Sequence, residues 1–465
     1  MLTQSANENS RLSFWLRVRE FAVPPSMIET ATARRLAGDW AGACAAAGID
    51  VDLNLRSVAC RHGRELAAQV RADLRHLAPD LLRWHMPRIA PDGLLRPGLT
   101  LTLARYDTAE RDGERPVHLV VRTPPAWADA GQRISLALWD GSEPEGGEGR
   151  HPHPRPDRRF RLDLHRHLWD AHRADELRIR SGADGPAAVD PDLLGLVPRG
   201  RYCAVDRWAA EAGILLRAEG RPTGTVVVRC GARHRLVLDL VADPEGIGPP
   251  ALLIAAGATD AVVSALPVLP DAATWVLPDL ELIRTGAIGA GRLHPLVASA
   301  LVPDHPPTGR DRIPDPAGQP RLVECRGAQH RIGLVDGVLS ALDHDPSEIR
   351  REELLAALTG TPLPCLRVID EAHRHPECLS DVRERLNHGD IAGALAVVEG
   401  LLGPDAVLRG GALRDELEAA ARRRITYGLF RAGMAGPGPG RVRFHQDRDD
   451  RPRAGRSHPR LATHR

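Results

Sequence analysis

Two stretches of this chain place a cysteine and a histidine on either side of a short Gly-Ala turn: Cys230-Gly-Ala-Arg-His234 and Cys325-Arg-Gly-Ala-Gln-His330, each followed by Arg and then Leu or Ile. Thiolate sulfur and neutral imidazole nitrogen are the donors that zinc prefers, and two such pairs would form a Cys2His2 set if the hairpins met. Cys230, His234, Cys325 and His330 are therefore the candidate metal ligands, and zinc is the ion they would suit; no other cofactor is expected. If the hairpins stay apart, the cysteines are small core residues and the histidines line a strand face. Two further clusters have metal-binding composition: His165 and His167 with Asp163 and Asp170, and His373, His375 and Cys378. The first could open a metal-dependent hydrolase barrel, but the eightfold strand-helix alternation of such a barrel does not follow it.

The run Val368-Ile-Asp370-Glu371-Ala-His-Arg374 resembles the acidic box of DEAH-type helicases, and that resemblance implies carboxylates holding magnesium beside a nucleotide. Such an ATPase also needs a Gly-rich loop ending in Lys, whose ammonium reaches the phosphates. The chain contains no lysine, so the resemblance stops at seven residues. Gly286-Ala-Ile-Gly289-Ala-Gly291 lies between an apolar run and a predicted helix, the context in which backbone N–H groups cradle phosphate. Its GxxGxG spacing departs from the dinucleotide pattern, and a surface loop is the plainer reading. Neither GxSxG nor SxxK occurs, and no catalytic residue is assigned.

With no lysine, all 62 basic residues are arginines, which, with abundant Ala, Gly and Pro, points to a GC-rich bacterial genome. The net charge is +1 and aromatics make up 3%, so there is neither a basic field nor a stacking surface, and nucleic acid is not an expected partner. Met1 to Glu20 lacks a secretory pattern, and the seven cysteines are odd in number and without CxxC spacing. Both features predict a cytoplasmic protein with reduced thiols. The most apolar window, Ala251 to Leu269, contains Asp260 and Pro267 and reads as buried helix or strand, not as a membrane span.

The elements that must position these residues follow from periodicity. A helical spacing of apolar residues dominates to about residue 93, and from Gly98 the period becomes two in Leu99–Leu103, Val117–Val121 and Ile134–Leu138, the pattern of a three-stranded meander. Residues 141–157 read as a linker. Residues 203–240 and 293–336 can be read as two copies of one unit, a short helix followed by a Cys/His hairpin. From Asp345-Pro346 onward the pattern is helical again, with breaks at Gly360, Gly389 and Gly403.

The expected class is thus α+β: a mostly helical N-terminal region (1–93), a β-hairpin-rich middle (94–345), a helical C-terminal subdomain (346–434) and a disordered tail (435–465). The leading functional expectation is a non-catalytic protein-interaction or regulatory component of an assembly, bound to other proteins. The alternative is a metal-dependent hydrolase built on the Cys/His clusters. A DNA-binding regulator working through the C-terminal helices is third.

Overall fold

The computed structural model describes residues 2–107, 116–141, 151–185, 191–198, 202–231, 234–241, 250–255, 260–304, 320–359 and 362–436. The expected tail from 435 therefore lies almost wholly outside the described residues, as does most of the 141–157 linker. Helix accounts for about 51% and strand for 18%, divided among several small sheets, which is the α+β class. Among the described residues, no helix is long and apolar enough to cross a membrane.

The N-terminal helices are α1 (Leu2–Phe21), α2 (Pro25–Leu36), α3 (Trp40–Ala46), α4 (Leu55–His62), α5 (Arg64–His76) and α6 (Pro79–His85). Their boundaries follow local chemistry. Asp39 caps α3 by accepting from Gly42 N, Asn54 caps α4 by accepting from Arg56 N and Ser57 N, and Pro79 starts α6. In α5, Leu66, Ala67, Val70 and Leu74 fall on one buried face.

The predicted meander forms from β2 (Thr100–Tyr106), β3 (Val117–Arg122) and β4 (Ile134–Trp139), with Leu101 paired to Val121 and Val121 to Leu136. Its far edge carries a strand that the periodicity does not show, β1 (Ile49–Val51), parallel to β4. Three residues are too few to establish a period, and Asp52 N donating to Leu136 O extends the pairing. The sheet packs on the N-terminal helices as one large core that includes Trp84, Leu103, Trp169 and Val297.

A second, smaller core lies between α7 (Val205–Ala218) and a sheet of β5 (Gly224–Arg229), β6 (Arg235–Val241) and β7 (Ala251–Ile254). Here β7 is an edge strand whose Leu253 and Ile254 are exposed, so the apolar window from 251 is not buried throughout. The chain then returns to the large core through α8 (Pro278–Arg284) and α9 (Pro295–Leu301).

The remaining strands, β8 (Arg321–Cys325), β9 (Ala328–Val335) and β10 (Val338–Ala341), form an antiparallel sheet in sequence order. Five helices follow: α10 (Pro346–Thr359), α11 (Pro364–Arg374), α12 (Leu379–His388), α13 (Ile391–Leu402) and α14 (Ala412–Arg431). The breaks at Gly389 and Gly403 fall where Gly and Asp predict them, with Gly389 left-handed at φ 88° and Asp390 capping α13 through Gly393 N, while the expected break at Gly360 lies outside the described residues. Gly389 is also required sterically, because a Cβ there would collide with the carbonyl oxygen of Gly131. Buried Arg83 ties this end to the large core by donating to His388 O (2.7 Å) and Ala22 O (2.9 Å).

Candidate metal centre

The described residues contain one group of three or more Cys, His or acidic side chains positioned to share a metal ion: Cys325, His344 and Cys365. Their ligand atoms all lie within 4.8 Å of one another, and all three residues are buried. Each comes from a different element. Cys325 ends β8 and opposes Ala328 across a two-residue turn, Arg326 (φ 54°) and Gly327 (φ 81°). Positive φ at both turn positions is the signature of the turn that matches strand twist. His344 occupies the bend between β10 and α10. Cys365 lies in the first turn of α11, just after Pro364.

Strand register explains the convergence. Paired residues share a face of a sheet, so Val323, Cys325, Ala328, His330, Ile332 and Ala341 point the same way. That face packs against Cys365, Leu366 and Ile369 of α11. The cluster is small, and two of its seven buried members are the cysteines.

The nitrogens of His344 are in different states. Nδ1 stands 3.4 Å from Glu348 Oε2, while Nε2 is buried without a hydrogen-bond partner. A carboxylate on one imidazole nitrogen with the other left bare is the arrangement that surrounds metal-bound histidines. The carboxylate of Glu348 also holds Arg326, at 2.8 Å, and so links the hairpin turn to the histidine. On the other side Asp343 accepts from Arg331 N at 2.6 Å and pairs with the Arg331 guanidinium at 2.7 Å, fixing the bend that carries His344. These bonds hold the Asp343 carboxyl down to about 2. The ring of His330 lies against that of His344, with centroids 4.3 Å apart, and its buried Nδ1 is also unpartnered.

The two thiols contact each other, and Cys365 is pushed up to about 11, first by burial and then by its hydrogen bond with Cys325. A soft divalent ion would replace the thiol protons. Two Zn–S bonds of about 2.3 Å at a tetrahedral angle place the sulfurs about 3.8 Å apart, a spacing this cluster can meet.

Of the four ligands expected from sequence, Cys325 belongs to this group and His330 stands beside it. Cys230 and His234 do not reach it. Cys230 is buried in the second core beside α7, and exposed His234 sets Nε2 3.0 Å from Leu196 O. The two hairpins belong to different sheets, and among the described residues the Cys2His2 set across both copies is not a shared donor group. Nor are the copies covered alike. The first lies under the helix that precedes it, whereas α9, its expected counterpart, joins the large core and the second hairpin is covered by α11, which follows it.

The other sequence candidates are engaged elsewhere. His165 sets Nδ1 3.0 Å from Arg161 O and Nε2 3.2 Å from Glu211, which is clamped by Arg180 at 2.6 Å. Asp163 is bound to Arg161, and Asp170 to Arg166. Burial holds His167 well below its usual range. His373 is buried on α11, while Asp370, in the DEAH-like run, pairs with Arg374 and Arg409 at 2.8 and 2.9 Å. His373, His375 and Cys378 do not form a shared donor set. The glycines at 286–291 precede α9, whose N-terminus is capped by its own His294.

The sequence reading passed over His344 and Cys365. The signal for both was positional: His344 directly precedes the Asp345-Pro346 helix start, and Cys365 directly follows Pro364, so each sits where an element must begin. No protein-family model matches this chain, and neither do the curated proteins or the solved structures.

Proposed function

We propose that this chain binds one zinc-class ion through Cys325, His344 and Cys365, with His330 turning inward as the fourth ligand, and that the ion is a structural staple. The observation that carries this reading is the convergence of two buried thiols and a bare imidazole nitrogen from three separate elements. A small cluster with few apolar residues gains more from a metal than from its own burial, the usual situation of structural zinc modules. The staple locks the β8–β10 sheet to α11 and, through Glu348, to α10. It thereby holds in place a helix whose Leu354, Leu355 and Leu358 are 65%, 48% and 86% exposed. That open face supports a non-catalytic, partner-binding role, in preference to a hydrolase.

Metal analysis of the full chain, purified without chelator, tests the reading. The expected result is near-stoichiometric zinc, lost in Cys325→Ser and in Cys365→Ser and retained in Cys230→Ala. Wild-type protein lacking metal, with a mass lower by two hydrogens, would replace the staple with a Cys325–Cys365 disulfide and overturn the proposal.

A further inference from the structure

A cavity of about 750 Å³ opens between α1, the Trp84–Arg88 segment, the 159–162 loop and the Asp271–Pro278 segment. Its volume falls in the range of sites that enclose drug-sized molecules. Phe14, Trp15, Trp84, Phe160 and Trp275 give it an aromatic wall. Seven arginines also line it, and among the described residues Asp271 is the one carboxylate in the lining.

The arginines differ in how far their charge is compensated. Arg19 is clamped by Asp279 at 2.7 and 2.8 Å, Arg11 pairs with Glu281 at 2.7 Å, Arg159 with Asp271 at 2.6 Å, and Arg161 with Asp163 at 2.7 Å. These groups are structural. Arg88 is different: its guanidinium donates to the carbonyls of Gly93 (2.9 Å) and Arg83 (2.7 Å), and among the described residues it pairs with no carboxylate and its buried Nε has no partner. Arg96, which follows Leu95, the partner of Arg88 in the short ribbon of Arg88–Ile89 and Leu94–Leu95, also lines the cavity; it is exposed and makes no side-chain hydrogen bond or ion pair among the described residues, and Asp271 feels its charge. Arg17 reaches Glu384 and Asp92 only at 3.7 and 3.9 Å. Burial and the neighbouring Arg83 and Arg19 hold Arg88 well below the usual arginine range, as expected of positive charge lacking a counter-ion.

We infer that this cavity binds an amphipathic carboxylate, with its head on Arg88 and Arg96 and its apolar body against the aromatic wall. The planar guanidinium fork matches a carboxylate in two parallel hydrogen bonds. Burying an apolar chain against aromatic rings supplies the remaining affinity.

Trp15, Trp84 and Trp275 provide the readout. The full chain is titrated with decanoate, decanol and decyl phosphate while tryptophan fluorescence and binding heat are followed. Decanoate is expected to saturate the signal, and decanol to bind at least tenfold more weakly. Arg96→Gln should weaken decanoate about tenfold and leave decanol unchanged, because the Arg96 side chain makes no hydrogen bond or ion pair among the described residues; Arg88→Gln, which also gives up the hydrogen bonds to Gly93 O and Arg83 O, should weaken decanoate more. Saturable binding of decyl phosphate without decanoate would assign a phosphate head and overturn the carboxylate. Equal affinity for decanoate and decanol, no saturable binding of any of the three, or undiminished decanoate binding by Arg96→Gln would each refute the proposal.

Discussion

The two Cys/His hairpins begin from nearly the same residues and end in different chemistry. In the first, Cys230 N donates to His234 O at 3.0 Å, Cys230 belongs to the second core with Trp208 and Leu236, and the histidine is exposed. In the second, the turn is Arg326-Gly327, and the register places His330 two residues beyond the pair that Cys325 makes. A third strand then delivers His344, and a covering helix delivers Cys365. The hairpin supplies at most one or two ligands, and the elements packed on it determine whether they become a site. The first hairpin rests on an apolar core of fifteen buried residues, whereas the second shares a core of seven, two of them cysteines. Under the proposed reading, the second setting makes its cysteine a metal donor, whereas the first sets its cysteine within a larger apolar core.

Several measurements would break or sharpen this contrast. The largest effect is expected from Cys325→Ser with Cys365→Ser: zinc falls from one per chain to none, and a ligand that stabilised the C-terminal region by about 4 kcal/mol at a thousandfold excess over Kd is lost. Scanning calorimetry with and without chelator checks this; identical traces would count against a staple. Next, Glu348→Gln should weaken zinc about 10- to 100-fold in a competition titration, the usual cost of removing a carboxylate behind a metal-bound histidine. An unchanged Kd would show that Glu348 serves only Arg326.

Acid should separate the regions further. On α7, at the second core, burial opposes ionisation of Glu211, but His165 and Arg180 overcome it and lower the group from 4.5 to about 2. Because the folded value is depressed, the stabilisation is complete above pH 4.5 and fades as pH falls through about 2. Metal ligands must be deprotonated, so zinc should leave at a higher pH than that. Tryptophan fluorescence followed alongside released zinc tests the order, and simultaneous transitions would contradict it. The smallest effect is expected at Cys230→Ala, about 1 kcal/mol of packing with zinc content unchanged. Loss of zinc there would erase the distinction between the hairpins.

Much of this architecture is legible in the sequence because long elements repeat their pattern. The meander at 99–138 alternates, and the helices from 346 onward are bounded by Asp-Pro, Gly389 and Gly403, so both are found at their expected places. Short or borrowed structure is not legible: β1 has three residues, and the return of α8 and α9 to the large core depends on tertiary packing that spacing does not encode. For the same reason spacing marks Cys325 and His330 as donors but not the side chains that surround them. Local similarity linked two hairpins, whereas His344 and Cys365 are brought in by a register and a helix placement visible only in three dimensions.

The most direct test of the metal centre is X-ray absorption at the zinc edge of the purified chain. The account predicts two sulfur ligands at about 2.3 Å and two imidazole nitrogens at about 2.0 Å, with one sulfur lost in Cys365→Ser. Absence of zinc, or a shell of oxygen and nitrogen unaffected by that substitution, would contradict it.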